Sequence, residues 1–243
     1  MDQPDLLALV AESQRRAAAG DWGARALAVN EQLFELQPRA LGVRLRLGAC
    51  LHHARRYEDA LAHYEAIAAE STDETQLKVA RRHIGELHEA FRAQRTDSFP
   101  QAQERAIGLR RSGKAELAAV WHRRAAELAP TPHERSVALA SWASTLRGLR
   151  RIDEARTLAE QAVRLDPSPE TNKAAHTVYV TVLADAGAVD EGVRQAVRLV
   201  RAHPRDPVVL KAAGGAYLDL AKRTGDASLR RKADYCFAAA AEA

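Results

Sequence analysis

An all-α protein built from stacked helix pairs is the fold this sequence predicts, and three observations predict it. Pro130, Pro167 and Pro204 recur at intervals of 37 residues. Ala118, Ala155 and Gly192 recur in step with them, at the same interval. Between these markers the apolar residues fall at helical spacing, in a chain rich in alanine and leucine with only 5% aromatic residues. Alanine and straight-chain residues lose little freedom on entering a helix. A fixed period of this size marks a repeat in which each unit is one supersecondary element and stacking supplies the core.

The elements follow in order. Gly20-Asp21-Trp22, Ala26, Asn30, Leu33 and Pro38 mark a first helix pair over residues 6–39, and Leu47-Gly48, Leu51, Tyr57, Ala60 and Tyr64 a second over 41–72. The rhythm then fails, because Ala60 and Ala118 stand 58 residues apart, well short of two periods. Thr75–Gln94 carries Leu77, Ile84, Leu87 and Phe91 on one face with no glycine turn, which predicts an extra, unpaired helix inside an irregular insert at 73–98. Pairs resume over 99–132, 136–169, 173–206 and 207–243. In the 136–169 copy, Leu139, Trp142, Ala143 and Leu146 share one helical face, Gly148 opens the turn, and Ala155, Ala159, Ala162 and Leu165 face inward from a second helix starting near Asp153. In the last copy the turn is expected to stretch across Lys222–Leu229. The expectation is therefore about six helix pairs plus one extra helix, forming a single domain over 1–243. Small residues at 118, 155 and 192 let the paired helices cross closely, the turn glycines reach positive φ without a Cβ clash, and each proline ends the second helix.

Here the pattern resembles the tetratricopeptide repeat, whose signature runs W-x2-L-G-x2-Y…A-x3-F…P. The best copy reads Arg44-x2-Leu47-Gly48-x2-Leu51, then Tyr57, then Ala60-x3-Tyr64, and a C-terminal copy has Gly214, Tyr217 and Ala233-x3-Phe237. The resemblance covers nearly the whole chain and implies a right-handed α-α superhelix. It also implies a function: a protein-interaction scaffold that holds a peptide or partner protein in a groove lined by the first helix of each pair. The matching positions include His52, His53, Gln103, Arg110, Arg111, Ser144, Arg147, Thr181 and Lys211. Small side chains at its centre and arginines along one edge suit an extended or helical segment carrying acidic residues. The Lys, Asn and Arg clamp by which some members hold a C-terminal carboxylate is absent, since its positions hold Gln103, Ile107, Ser141, Ala174 and Val178. A secondary basic stripe, Arg81, His88, Arg92 and Arg95, lies along the extra helix beside its apolar face.

Charge and motifs narrow the alternatives. The net charge of +4 is a small difference between 36 basic and 32 acidic residues, so it does not by itself point to nucleic acid. A nucleic-acid-binding helical repeat is the second reading, and the scarcity of aromatic platforms weighs against it. An accessory or regulatory subunit of an enzyme or transcription regulator is a third. The nine histidines, His52-His53, His63, His83 and His88 among them, show neither HExxH nor paired Cys/His spacing, so no metal is expected. Without a P-loop, a GxGxxG or a GxSxG elbow, neither catalysis nor a cofactor is expected. The longest uncharged stretches, such as Ser136–Leu146, are half the length a membrane helix needs. The acidic start Met1-Asp2-Gln3-Pro4-Asp5 is unlike a leader, and lone Cys50 and Cys236 fit a reducing compartment, so a cytoplasmic location is expected. Tyr235 and Phe237 on the last helix leave an apolar end that is expected either to self-associate or to continue into a longer protein.

Overall fold

The computed structural model describes residues 5–243, and the first four residues, part of the acidic start, lie outside the described region. Thirteen helices and no strand are present among the described residues. They are α1 (Leu6–Ala18), α2 (Ala24–Leu36), α3 (Leu41–His53), α4 (Tyr57–Glu70), α5 (Glu74–Arg95), α6 (Phe99–Arg111), α7 (Ala115–Leu128), α8 (Pro132–Gly148), α9 (Ile152–Leu165), α10 (Lys173–Asp185), α11 (Val189–Ala202), α12 (Pro207–Thr224) and α13 (Ala227–Glu242). All but α5 form consecutive pairs, and α5 runs unbroken through Gly85, so the fold is an all-α helical repeat with one extra helix. The chain divides into two compact units, residues 1–92 and 93–243, with the division inside α5.

Each proline acts as the sequence predicts. Helices α7, α9 and α11 end two residues before Pro130, Pro167 and Pro204, because proline lacks an N–H and biases its predecessor away from helix. Four of the first helices, α1, α8, α10 and α12, start on side-chain caps. Thr131 Oγ1 accepts from the Glu134 N–H at 3.2 Å, and Asp206 Oδ1 accepts from Val208 and Val209 at 2.9 and 3.1 Å. Each cap satisfies backbone donors that a helix N-terminus leaves unpaired. Ser136 and Asn172 form a buried polar joint: Ser136 Oγ donates to the Ala162 carbonyl at 2.7 Å, and Asn172 Nδ2 donates to Ser136 Oγ at 2.6 Å.

Five hairpin turns share one geometry. A residue with left-handed φ follows each first helix: Gly20, Arg55, Gly113, Arg150 and Gly187, with φ between 62° and 76°. Its N–H donates to the carbonyl three residues back, and the next N–H donates to the carbonyl five residues back, as in Gly113 to Arg110 and Lys114 to Leu109. This closes the exposed C-terminus of the first helix. It corrects the reading of Gly148, which is the last residue of α8, while the left-handed position two residues on is Arg150. The last hairpin is also corrected. The extra residues lengthen α12 to 18 residues, and the turn stays tight, with Gly225 at φ 73° and Asp226 capping Ser228 of α13 at 2.7 Å.

Inside each pair the crossing is filled by complementary volumes. A Cβ on Gly48 of α3 would lie 3.0 Å from the Tyr64 ring of α4, and one on Gly214 of α12 would lie 2.9 Å from the Phe237 ring of α13. Where the second helix offers only a methyl, as at Ala159 or Ala196, the register partner on the first helix is larger than glycine: Ala143 and Val180, packed in the same cores. Ala118 and Ala155 are fully buried. Gly192 is crowded by Leu220 of α12 at 3.1 Å and by Leu183 of α10 at 3.6 Å, so its smallness serves the next repeat as well as its own.

Candidate functional site

Within residues 93–243 the helices form two layers. Helix α10 packs against both α8 and α12, so these three first helices touch one another, while α9 lies on α8 and α10, and α11 on α10 and α12. A 37-residue file therefore runs across the first-helix layer: Ile107 on α6, Ser144 on α8, Thr181 on α10 and Leu218 on α12, all half-buried. Thr181 Oγ1 donates to the Val178 carbonyl at 2.8 Å, and Thr177 Oγ1 likewise to Lys173. Their donors are used within the helix, and their lone pairs point outward as acceptors. The file is narrow, weakly polar and free of charge, a surface on which an extended backbone can lie.

Charge borders the file on one side. Arg110 and Arg111 are exposed at the end of α6, and neither has an ion-pair partner among the described residues. The Arg110 guanidinium lies 3.5 Å from Ser144 Oγ. Arg147 differs, because its Nε donates to Asp185 Oδ2 of α10 at 2.5 Å and its charge is matched in place. Arg223 of α12 donates to the Asp185 carbonyl at 3.0 Å, and Lys222 pairs with Asp219 at 3.3 Å. The uncompensated positive charge is thus concentrated on α6, with Lys211 exposed on α12. Gln103 is half-buried with Oε1 lacking a partner.

His52 and His53 lie in the other unit, residues 1–92. His53 is exposed, but the His52 ring packs T-shaped with Tyr57 at 5.6 Å and with His83 of α5 at 6.0 Å. Burial, and then the neighbouring His83, hold the His52 imidazole below its ordinary pKa. The stripe Arg81, His88, Arg92 and Arg95 is exposed along α5, and Arg92 pairs with Glu89 at 2.9 Å. One grouping escaped sequence reasoning: His52, His83 and Glu86 bring ligand atoms within 4.8 Å of one another. Histidine spacing along the chain did not reveal it, because α3 and the inserted α5 supply it jointly. Cys50 and Cys236 are buried free thiols, and burial pushes Cys50 up to about 11. Among the described residues no helix is long and apolar enough to cross a membrane.

No protein-family model and no curated protein matches this chain. Solved structures do, at low identity. A tetratricopeptide repeat protein from Parabacteroides merdae is 15% identical, with 96% of this chain and 79% of that one covered and a TM-score of 0.43. YrrB, described as a TPR protein with an unusual peptide-binding site, is 15% identical over 88% of this chain and 96% of its own, with a TM-score of 0.41. The TPR2AB domain of yeast Sti1, in complex with pHSP90, is 15% identical over 98% and 86%, with a TM-score of 0.37. This chain is similar to tetratricopeptide repeat proteins. Its fold is read from its own thirteen helices.

Proposed function

We propose that this protein is an interaction scaffold that holds an extended or helical segment of a partner protein along the first-helix face of residues 93–243. The observation that carries the reading is the file Ile107, Ser144, Thr181 and Leu218, half-buried, uncharged and repeated at the period of the fold, beside unpaired Arg110 and Arg111. A surface left weakly polar along the first helices of four successive pairs can take up a chain by contact and by hydrogen bonds to hydroxyl acceptors. The two arginines favour a segment with acidic residues, since guanidinium presents a planar fork that matches carboxylate. The scaffold has no chemistry of its own in this reading and acts alone or as an accessory subunit in the cytoplasm. Tyr235, 68% exposed on α13, supports a second, weaker contact between copies of the chain.

The test is a peptide array of acidic and neutral segments followed by titration of the best binder. Acidic segments bind, and the double variant Arg110→Glu/Arg111→Glu weakens binding without lowering the melting temperature. Arg147 is left alone in this test, because a glutamate there would face Asp185 and destabilise the fold.

A further inference from the structure

The grouping of His52, His83 and Glu86 lies wholly within residues 1–92. His52 occupies the last turn of α3, and His83 and Glu86 stand three residues apart on α5, on one side of that helix. One ring nitrogen from each histidine and one carboxylate oxygen lie within 4.8 Å of one another, and all three residues are half-buried. We propose that these three side chains bind a divalent transition-metal ion of the zinc class, tying α5 to α3.

Four observations point this way. The donor set is two imidazoles and one carboxylate, which suits zinc with an open fourth position for water and does not suit the all-oxygen preference of magnesium or calcium. Ligand atoms held at about 2.0–2.2 Å from one ion stand roughly 3–3.5 Å apart, so modest side-chain rotations close the present spacing. The rings are already held by aromatic packing: Tyr64, fully buried, stacks on His83 at 4.7 Å and 18°, and Tyr57 meets His52 in a T-shaped pair. The position also already draws positive charge. The Arg82 guanidinium lies 3.2 Å from His83 Nε2 and 3.7 Å from Glu86 Oε1, while its own side chain is 63% exposed and able to swing away.

An ion bound here stabilises the unit by mass action, to a degree set by its concentration over Kd.

The experiment uses the tag-free full chain, stripped with a chelator and titrated with Zn2+, with Co2+ as a spectroscopic reporter and Mg2+ as a control. One equivalent of Zn2+ binds, Co2+ develops visible absorption, and both ions raise the melting temperature while Mg2+ does not. His52→Ala, His83→Ala and Glu86→Gln each weaken Zn2+ by more than the roughly 10–100-fold that loss of an outer-shell partner costs, whereas His63→Ala and His88→Ala do not. Arg82→Ala tightens binding by removing the competing cation, and this readout survives if His83→Ala fails to fold. Absence of Zn2+ binding by the wild-type chain overturns the proposal, as does unchanged affinity in both His52→Ala and Glu86→Gln.

Discussion

The α3–α4 hairpin and the α8–α9 hairpin close through the same turn and fill their crossings in opposite ways. Each places an arginine, Arg55 or Arg150, in the left-handed position, with the same pair of backbone hydrogen bonds. Yet α3–α4 sets a fully buried Tyr64 ring on Gly48, while α8–α9 sets the methyl of Ala159 in the same core as Ala143. The turn is fixed by backbone hydrogen bonding, which any residue can satisfy at some cost. The crossing is fixed by the volume the two positions share, which can be divided in more than one way.

The largest effect expected from this contrast lies at the ring. Tyr64→Ala empties the crossing and costs about 3–5 kcal/mol, whereas Ala159→Gly removes one methyl at a cost of about 1 kcal/mol or less. The cycle between Gly48→Ala and Tyr64→Ala sharpens the point. With the ring present, the added methyl overpacks and costs about 1–3 kcal/mol. With the ring gone, it costs nothing or stabilises, which urea unfolding of the four proteins measures as coupling.

A third division of volume has a pH signature. At the register position of Tyr64 and Ala159, α7 carries His122, 1% exposed, with neither ring nitrogen partnered by protein. Burial, with a contribution from Arg110, lowers its pKa from 6.5 to about 4. The unfolded histidine takes up its proton at the higher pH. Between about pH 6.5 and 4 the unfolded chain therefore binds more protons, and stability falls as the pH falls through that window. The loss attributable to His122 is about 3 kcal/mol by pH 4. His52, His63 and His176 are also lowered by burial and act in the same direction. His122→Phe should therefore flatten the pH dependence of the denaturation midpoint without abolishing it, while Ala159→Phe cannot be accommodated opposite Ala143.

The smallest effect concerns the shared turn. Non-glycine residues in the left-handed region are disfavoured by about 1–2 kcal/mol, partly offset by the greater unfolded-state entropy of glycine. Arg55→Gly and Arg150→Gly should each stabilise by about 0.5–1 kcal/mol, seen as a rise in melting temperature. A fall at either site would mean that the exposed arginine side chain makes a contact more valuable than the strain it carries.

Much of this fold was legible in the sequence. The proline and alanine periods mark the pairs, and the 58-residue gap between Ala60 and Ala118 marks α5. What stayed hidden depended on distance in space. Gly148 masked Arg150, because glycine is the usual left-handed residue and stood only two positions early. The seven surplus residues before Ala233 gave no sign that they would lengthen α12 rather than its turn. Arg147 looked like free charge until Asp185 was found beside it, although a register of one period plus one residue links the two. The same register leaves Arg110 opposite Gly148, and it is this asymmetry that concentrates positive charge on α6.

The central claim is that the first-helix face of residues 93–243 receives an acidic segment through that charge. Its most direct measurement is the Kd of one array-selected acidic segment for the wild-type chain and for Arg110→Glu/Arg111→Glu, at two salt concentrations and with melting temperatures recorded. The account predicts weaker binding at higher salt, a loss of at least tenfold in the variant, and unchanged melting. Equal affinity for the two proteins, with both folded, would contradict it.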